Sequence, residues 1–185
     1  SLVGPAVRTK ERLAEELASH LMLDQEELLD AINDEEICKK YGMDTLTIQC
    51  LFIPNTYDVY WNVSVEKFLD RMKKEYDRFW TAERKNKAEA IGMRQHEVIT
   101  LASIIDEETA NNAEKPMVAG MYINRLKINM PLQADPTIKY AWRRFDLKRI
   151  YHKLLFIDSP YNTYRNTGLP PGPIRIPSIA GIDAV

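Results

Sequence analysis

Cysteine is scarce in this chain: Cys38 and Cys50 are the only two among 185 residues. Without Cys-x-x-Cys spacing they indicate neither a zinc site nor a disulfide framework, and the sequence leaves open whether they pair or remain free thiols. The three histidines, His20, His96 and His152, are far apart and lack the spacing of metal ligands. We therefore expect neither a metal nor a cofactor.

Long apolar runs are absent as well. No stretch of 18 or more apolar residues occurs, so the sequence predicts no membrane span within it. The chain opens with SLVGP, without an initiator methionine or a signal peptide, which indicates a piece cut from a longer protein. Any membrane anchor is expected outside the printed sequence.

An excess of one charge is also lacking. The chain has 25 Lys and Arg against 27 Asp and Glu, a net charge of −2, and its cations look scattered. This mixture is typical of an ordinary solvated surface and not of a nucleic-acid-binding one. Nucleic acid is therefore excluded as an expected partner.

Helical periodicity dominates what is present. Two short amphipathic helices are predicted within 9–33, with Asp24 as the N-cap of the second. Ser64 is predicted to begin one long helix that closes near Gly92. Further helices are predicted at 95–109, 116–127, 138–142 and 147–155, and an extended segment at 46–61. The predicted fold class is α+β: a mainly helical domain with little sheet and irregular loops rich in Pro, Gly and Tyr.

The stretch SPYNTYRNTGLPPGPIRIPS (159–178) cannot be a regular element, because prolines interrupt it repeatedly. Long loops in compact domains are usually functional or disordered, and the aromatic and amide content argues against disorder. Rings, amides and carboxylates recur here and shortly before, at Gln133, Asp135, Tyr161, Asn162 and Tyr164. Such a set is compatible with sugar binding, since rings stack on sugar faces and amides bind hydroxyl and N-acetyl groups.

Three consecutive acids, Asp106, Glu107 and Glu108, end the predicted helix at 95–109. At 100° per residue Glu107 falls opposite the apolar face and is predicted to be solvated, while Asp106 and Glu108 fall on its two shoulders. A carboxyl group against apolar side chains is harder to ionise, which is the condition that a general acid needs. This geometry favours Glu108 but leaves both shoulder acids open.

Three ordered motifs resemble the YceG-like family of endolytic murein transglycosylases (MltG): LASIIDEETA, KPMVAGMYINRLKINMPLQADPTIKYA and DSPYNTYRNTGLPPGPI. LFIPNTYDVYW also resembles the family's Phe-Pro-Asp-Thr-Tyr segment, with Asn55 where Asp is often found. The resemblance implies cleavage of peptidoglycan strands between N-acetylmuramic acid and N-acetylglucosamine, leaving a 1,6-anhydro end without consuming water. It implies that Glu108, the second acid of Glu-x-Glu-Thr, is the catalytic residue. Asp106, where the family has Glu, becomes a supporting group.

The resemblance further implies the substrate contacts and the setting of the domain. The substrate-binding residues are expected to be Gln133, Asp135, Tyr161, Asn162, Thr163 and Tyr164. Residues 1–45 are expected to be a remnant of a LysM-like helical segment, and 46–185 the YceG-like catalytic domain with its C-terminal part truncated. The expected partners are peptidoglycan glycan strands and cell-wall synthesis proteins. The whole protein is expected to be anchored in the inner membrane with this part facing the periplasm.

Two rival functions stay open. A muramidase-type hydrolase would use Glu108 together with Asp135 or Asp106, because ordinary glycosidases need two carboxylates. A glycan-binding or scaffold module would use none of the acids in catalysis. A single acid suffices for the lyase, because the sugar's own 6-hydroxyl attacks at high effective molarity.

Overall fold

The fold is described from a computed structural model of the chain, which places residues 7–54 and 63–185. These residues form α-helices and two 3₁₀ helices, and they contain no strand. The α-helices are α1 (Lys10–His20), α2 (Gln25–Ile32), α3 (Glu35–Lys40), α4 (Val65–Phe79), α5 (Ala82–Ala90), α6 (Gln95–Glu108), α7 (Lys115–Lys127), α8 (Asp135–Trp142) and α9 (Ile179–Ala184). The 3₁₀ helices are Ile48–Leu51 and His152–Phe156. The chain is thus mainly helical, and no described residue supplies the sheet of the predicted α+β class.

The chain divides into two compact units. The first comprises Ser1–Gln95 and Arg175–Pro177, and the second comprises His96–Ile174 and Ser178–Val185. The predicted boundary between residues 45 and 46 is a different division, one based on family likeness, and it stays a prediction.

Side-chain caps begin the helices of the first unit. Asp24 Oδ1 accepts a hydrogen bond from the Glu27 N–H at 3.0 Å, and Ser64 Oγ accepts one from the Lys67 N–H at 3.2 Å. Each cap satisfies a backbone donor that the first helical turn leaves without a partner. Both predicted N-caps are therefore confirmed.

The prediction of one long helix from Ser64 to Gly92 is wrong in one respect, because the segment forms two helices. The first ends at Phe79, and Thr81 then caps the second by accepting a hydrogen bond from the Arg84 N–H at 3.3 Å. Thr81 has extended backbone angles, φ −63° and ψ 164°, so the helix cannot pass through it. A threonine inside an apparently continuous helical pattern was the signal for this break.

The segment predicted to be extended, 46–61, is also partly wrong. Ile48–Leu51 is a 3₁₀ helix. The turn before it is set by Asp44, whose Oδ1 accepts hydrogen bonds from the Leu46 and Thr47 N–H groups, both at 2.8 Å. This local bonding overrides the β propensity of the branched and aromatic residues. Residues 52–54 follow it without regular structure, and 55–61, including Asn55, lie outside the described residues.

The cysteines are buried free thiols. Cys38 and Cys50 are 0% and 1% exposed, and neither forms a disulfide. Burial raises the pKa of both thiols, so each behaves as a small apolar side chain. Of the two states that the sequence left open, the free thiol is confirmed.

The second unit contains most of α6, together with α7, α8, α9 and the loops between them. The predictions at 95–109 and 116–127 are confirmed as Gln95–Glu108 and Lys115–Lys127. The helix predicted at 147–155 is only the 3₁₀ helix His152–Phe156. Within this unit Ser103 Oγ accepts a hydrogen bond from the Ile174 N–H at 3.0 Å, which fixes the proline-rich loop to α6.

Candidate active site

Asp106 is the buried acid at the end of α6. Its carboxylate lies 2.7 Å from Lys115 Nζ, and the two side chains are 3% and 6% exposed. Asp106 Oδ2 accepts a hydrogen bond from the Ser178 N–H at 2.5 Å, and Oδ1 accepts one from Ser178 Oγ at 3.2 Å. This buried ion pair therefore holds together α6, the beginning of α7 and the beginning of α9.

The structure corrects the environments that the helical wheel predicts for these three acids. Asp106 is buried, whereas Glu108, expected against the apolar stripe, is exposed, and Glu107 is half-buried. A helical wheel assumes one buried face, but all nine residues from Val98 to Asp106 are buried. The segment that covers Asp106 lies 72 residues away along the chain, so periodicity could not reveal it.

Gly181 leaves the space that Asp106 fills. A Cβ at this position would lie 2.5 Å from Asp106 Oδ1 and 2.9 Å from both Cγ and Oδ2. Because Lys115 and Ser178 hold the carboxylate, Asp106 cannot turn aside without losing their bonds.

We predict that Gly181→Ala destabilises the fold by about 1–3 kcal/mol, the usual cost of overpacking a filled site. Urea unfolding followed by circular dichroism measures this loss. Gly120→Ala is the matched control, because Gly120 is inside a helix and no atom beyond its chain neighbours and its own helix backbone lies within 4 Å of the added methyl group. A Gly181→Ala protein as stable as the parent would contradict the close packing around Asp106.

Glu108, unlike Asp106, is exposed at the surface. One of its carboxylate oxygens accepts a hydrogen bond from a buried side chain. The Tyr122 hydroxyl donates a hydrogen bond to Glu108 Oε1 at 2.9 Å. Tyr122 is only 2% exposed, and burial, reinforced by the adjacent Glu108, raises the pKa of its phenol. The phenol therefore keeps its proton and remains a hydrogen-bond donor throughout the physiological range.

Tyr164 and Asp135 form a second phenol–carboxylate pair. The Tyr164 hydroxyl donates a hydrogen bond to Asp135 Oδ1 at 2.5 Å. Burial, followed by the hydrogen bond to Asp135, raises the pKa of Tyr164 to about 12. The charges of Glu108 and Arg125 act on both phenols, with Glu108 raising and Arg125 lowering each pKa. The structure thus brings together Glu108, Tyr122, Arg125, Asp135 and Tyr164.

Arg125 and Gln133 shape the backbone at the edge of this cluster. Arg125 donates a hydrogen bond to the Leu132 carbonyl, which fixes the loop that follows α7. Gln133 has a left-handed backbone, φ 53°, and its N–H donates to the Thr163 carbonyl at 3.1 Å. Its side chain is exposed, so Gln133 remains a candidate for contact with a ligand.

Three other predicted substrate contacts are buried: Tyr161, Asn162 and Thr163 are 8%, 0% and 1% exposed. The Asn162 amide donates to the Leu155 and Ile157 carbonyls at 2.9 and 2.8 Å. Thr163 Oγ1 accepts from the Ala134 N–H at 2.9 Å. The polar groups of Asn162 and Thr163 are thus used within the fold, and their contact with substrate stays a prediction.

Tyr122, Lys115 and Ser178 are site residues that the sequence reasoning did not select. Tyr122 lies within one of the three family-like motifs, and a tyrosine on a largely apolar helix stretch is a usual sign of a buried hydroxyl with a partner. Lys115 had no local signal, since its partner is defined only by the fold.

The described ranges, 7–54 and 63–185, hold no group of three or more His, Cys, Asp or Glu residues arranged to bind a metal ion. In the same part of the chain no helix has both the length and the apolar character needed to cross a membrane.

Comparison with known proteins identifies the family to which this chain belongs. The model of the YceG-like family matches residues 2–185. A crystal structure of a YceG-like protein from Listeria monocytogenes superposes with a TM-score of 0.78 at 32% sequence identity, covering 99% of this chain and 65% of that one. The chain therefore belongs to the YceG-like family.

Two curated relatives narrow the comparison further. The chain is 52% identical over 79 residues to a Bacillus subtilis (strain 168) protein named endolytic murein transglycosylase, an alignment covering 43% of this chain and 22% of that protein. It is 32% identical over 140 residues to a Streptococcus pneumoniae (strain D39) protein of the same name, covering 71% of this chain and 24% of that protein. The chain thus spans about a quarter of the length of these relatives.

Proposed function

We propose that this chain belongs to an endolytic lytic transglycosylase. It would cleave the bond between N-acetylmuramic acid and N-acetylglucosamine and leave 1,6-anhydro-N-acetylmuramic acid ends. The observation that carries the proposal is the exposed Glu108 carboxylate with one oxygen fixed by the buried Tyr122 hydroxyl. The curated relatives named endolytic murein transglycosylase support the same reaction.

The hydrogen bond from Tyr122 assigns different tasks to the two Glu108 oxygens. Because the phenol donates to Oε1, the proton of the neutral acid resides on Oε2. Among the described residues no group donates to Oε2, so this oxygen is free to face the glycosidic bond. In the first half of the reaction the Oε2 proton passes to the leaving oxygen as the glycosidic bond breaks.

The second half of the reaction uses the same residue as a base. The Glu108 carboxylate takes the proton from the 6-hydroxyl of the muramic acid, and that oxygen then bonds to the anomeric carbon. No water is consumed, and Glu108 ends protonated as it began. Intramolecular attack supplies the nucleophile at high effective molarity, which removes the need for a second carboxylate.

The exposed partners in the cluster are proposed to hold the sugar. Gln133, Asp135 and Tyr164 offer an amide, a carboxylate and an aromatic ring at or near the surface. Tyr161, Asn162 and Thr163 would act indirectly by fixing the loop that carries Tyr164. Asp106 supports Glu108 in the same indirect way, by fixing the end of α6 through Lys115 and Ser178.

A muramidase-type hydrolase is the second candidate, and one observation favours it. Asp135 is an exposed carboxylate in the same cluster as Glu108, so two acids are available. Asp106 is unsuited to that role, because its carboxylate is buried and bonded to Lys115 and Ser178.

Mass spectrometry of digested peptidoglycan tests the choice between lyase and hydrolase. We expect products that end in 1,6-anhydro-N-acetylmuramic acid and that are lighter by one water than reducing ends. Products with reducing muramic acid ends would overturn the lyase proposal and favour a hydrolase using Glu108 and Asp135.

We predict that Tyr122→Phe lowers kcat by about 10- to 100-fold, since it removes the group that positions the general acid. The KM for glycan strands should change little, because the buried phenol does not face the ligand surface. Tyr140→Phe, another largely buried tyrosine of the same unit, is the matched control. An unchanged kcat in the Tyr122→Phe enzyme would show that Tyr122 does not position the general acid.

The cellular location of the protein is proposed from its family membership alone. We propose that the domain faces the periplasm from an inner-membrane anchor and acts on glycan strands beside cell-wall synthesis proteins. Protease protection in intact and permeabilised cells would test the location.

A further inference from the structure

Residues 142–156 carry an unusual group of exposed aromatic side chains, which we call the basic aromatic ledge. Trp142, Tyr151 and Phe156 are 41%, 56% and 63% exposed. Aromatic residues are enriched in binding interfaces relative to the rest of the protein surface. None of these rings has a role in the chemistry proposed for Glu108.

The ledge is also strongly cationic. It carries five exposed Lys and Arg residues against a single acid, Asp146. The cations are Arg143, Arg144, Lys148, Arg149 and Lys153. The expectation of evenly scattered positive charge is wrong for this segment, because the balance over the whole chain conceals it.

Internal contacts fix parts of the ledge before any ligand arrives. The Trp142 indole N–H donates to the Leu154 carbonyl at 3.0 Å, which connects the end of α8 to the 3₁₀ helix His152–Phe156. The Phe156 ring meets the His152 ring edge-on, with centroids 5.2 Å apart. Rings held in this way lose little conformational entropy on binding.

One buried side chain links the ledge to the loop that carries Tyr164. The Asn162 amide donates to the carbonyls of Leu155 and Ile157, on either side of Phe156, and its Oδ1 accepts from the Tyr164 N–H at 2.9 Å. Tyr164 in turn donates to Asp135. A single buried amide thus joins the segment that carries Phe156 to the loop that carries Tyr164.

We propose that the basic aromatic ledge is a second glycan-binding surface, which extends the Glu108 site along the strand and also engages its peptide side chains. This inference rests on the proposed function for the nature of the strand. The rings would stack on the faces of sugars beyond the cleaved bond. The cations would pair with the carboxylates of the stem peptides, which outnumber the single lactyl carboxylate that each muramic acid keeps when its peptide is removed.

A binding experiment with a catalytically blocked protein tests the ledge. The protein carrying Glu108→Gln is sedimented with insoluble peptidoglycan, with glycan strands stripped of peptides, and with phosphatidylglycerol vesicles. Adding Trp142→Ala and Phe156→Ala should weaken binding to both glycan forms by about tenfold or more, as expected for truncated aromatic anchors. Adding Arg149→Glu and Lys153→Glu should weaken binding to the peptide-bearing form more than binding to the stripped strands, which carry fewer carboxylates.

The matched control replaces two equally exposed apolar side chains elsewhere in the same unit, Met117→Ala with Ile128→Ala, which are each 73% exposed in the parent. It should bind as the parent does. Unchanged glycan binding by the Trp142→Ala, Phe156→Ala protein would overturn the proposal that the ledge binds glycan. Loss of vesicle binding with glycan binding intact would also overturn it and assign the surface to anionic lipid. Thermal unfolding of each variant separates lost binding from lost folding.

Failure of the ledge and failure of the proposed function give different results. The binding experiment does not require turnover, because every protein in it carries Glu108→Gln. Absence of 1,6-anhydro products from the parent protein would refute the reaction without altering the binding comparison. Normal products together with ledge-independent binding would refute the ledge alone.

Discussion

Glu108→Gln should lower the release of anhydro-ended products by about 100- to 10,000-fold, the usual contribution of a general acid and base. The amide can neither give a proton to the leaving oxygen nor take one from the 6-hydroxyl. The fold should be preserved, because the Glu108 side chain is exposed and a glutamine oxygen can still accept the hydrogen bond from Tyr122. Chromatography and mass spectrometry of digested peptidoglycan measure the loss.

Glu107→Gln is the matched control for this experiment, since it removes one negative charge from the neighbouring position of the same helix. Its product yield should stay within about threefold of the parent, because Glu107 is not proposed to transfer a proton. Peptidoglycan cleavage by Glu108→Gln at the parent's rate would instead favour a glycan-binding or scaffold module. Equal losses in both variants would indicate an electrostatic effect and not a specific acid.

Local signals predicted the elements whose causes are local. Asp24 and Ser64 were identified as caps because a cap acts on the N–H group three residues later. The helices 95–108 and 115–127 followed from their periodicity. The break at Thr81 depends on the same kind of signal, but the helical pattern on either side concealed it.

The residue proposed as catalyst came from the family motif, and its surroundings could not be predicted from the helix alone. The wheel placed Glu108 against apolar side chains, whereas the fold exposes it. The helical wheel also contains no information about Ser178, which lies 72 residues later in the chain and covers Asp106. Similarly, composition marked Asn162 as a sugar contact, although its amide bonds are internal. Residue type selected the candidate groups, and long-range packing decided which of them face outward.

The Asp106–Lys115 pair should show the largest effect on stability. Removing one partner leaves an uncompensated charge in the interior, which costs about 3–5 kcal/mol in comparable buried pairs. We therefore expect Lys115→Met to lower the free energy of unfolding by about that amount. Asp106→Asn should do the same, because an amide oxygen can accept a hydrogen bond from Lys115 but does not compensate its buried charge. Urea unfolding measures both losses.

The double variant separates the ion pair from the packing around it. Asp106→Asn with Lys115→Met leaves no buried charge at this position, so it should cost clearly less than the sum of the two single changes. The surface pair of Lys73 and Asp77, 2.9 Å apart on α4, is the matched control, and Lys73→Met should cost at most about 1 kcal/mol. Single losses at Asp106 and Lys115 as small as this control would show that the pair does not hold α6, α7 and α9 together. Losses of the expected size would establish Asp106 as the structural acid of the DEE sequence, which leaves the exposed Glu108 for the chemistry.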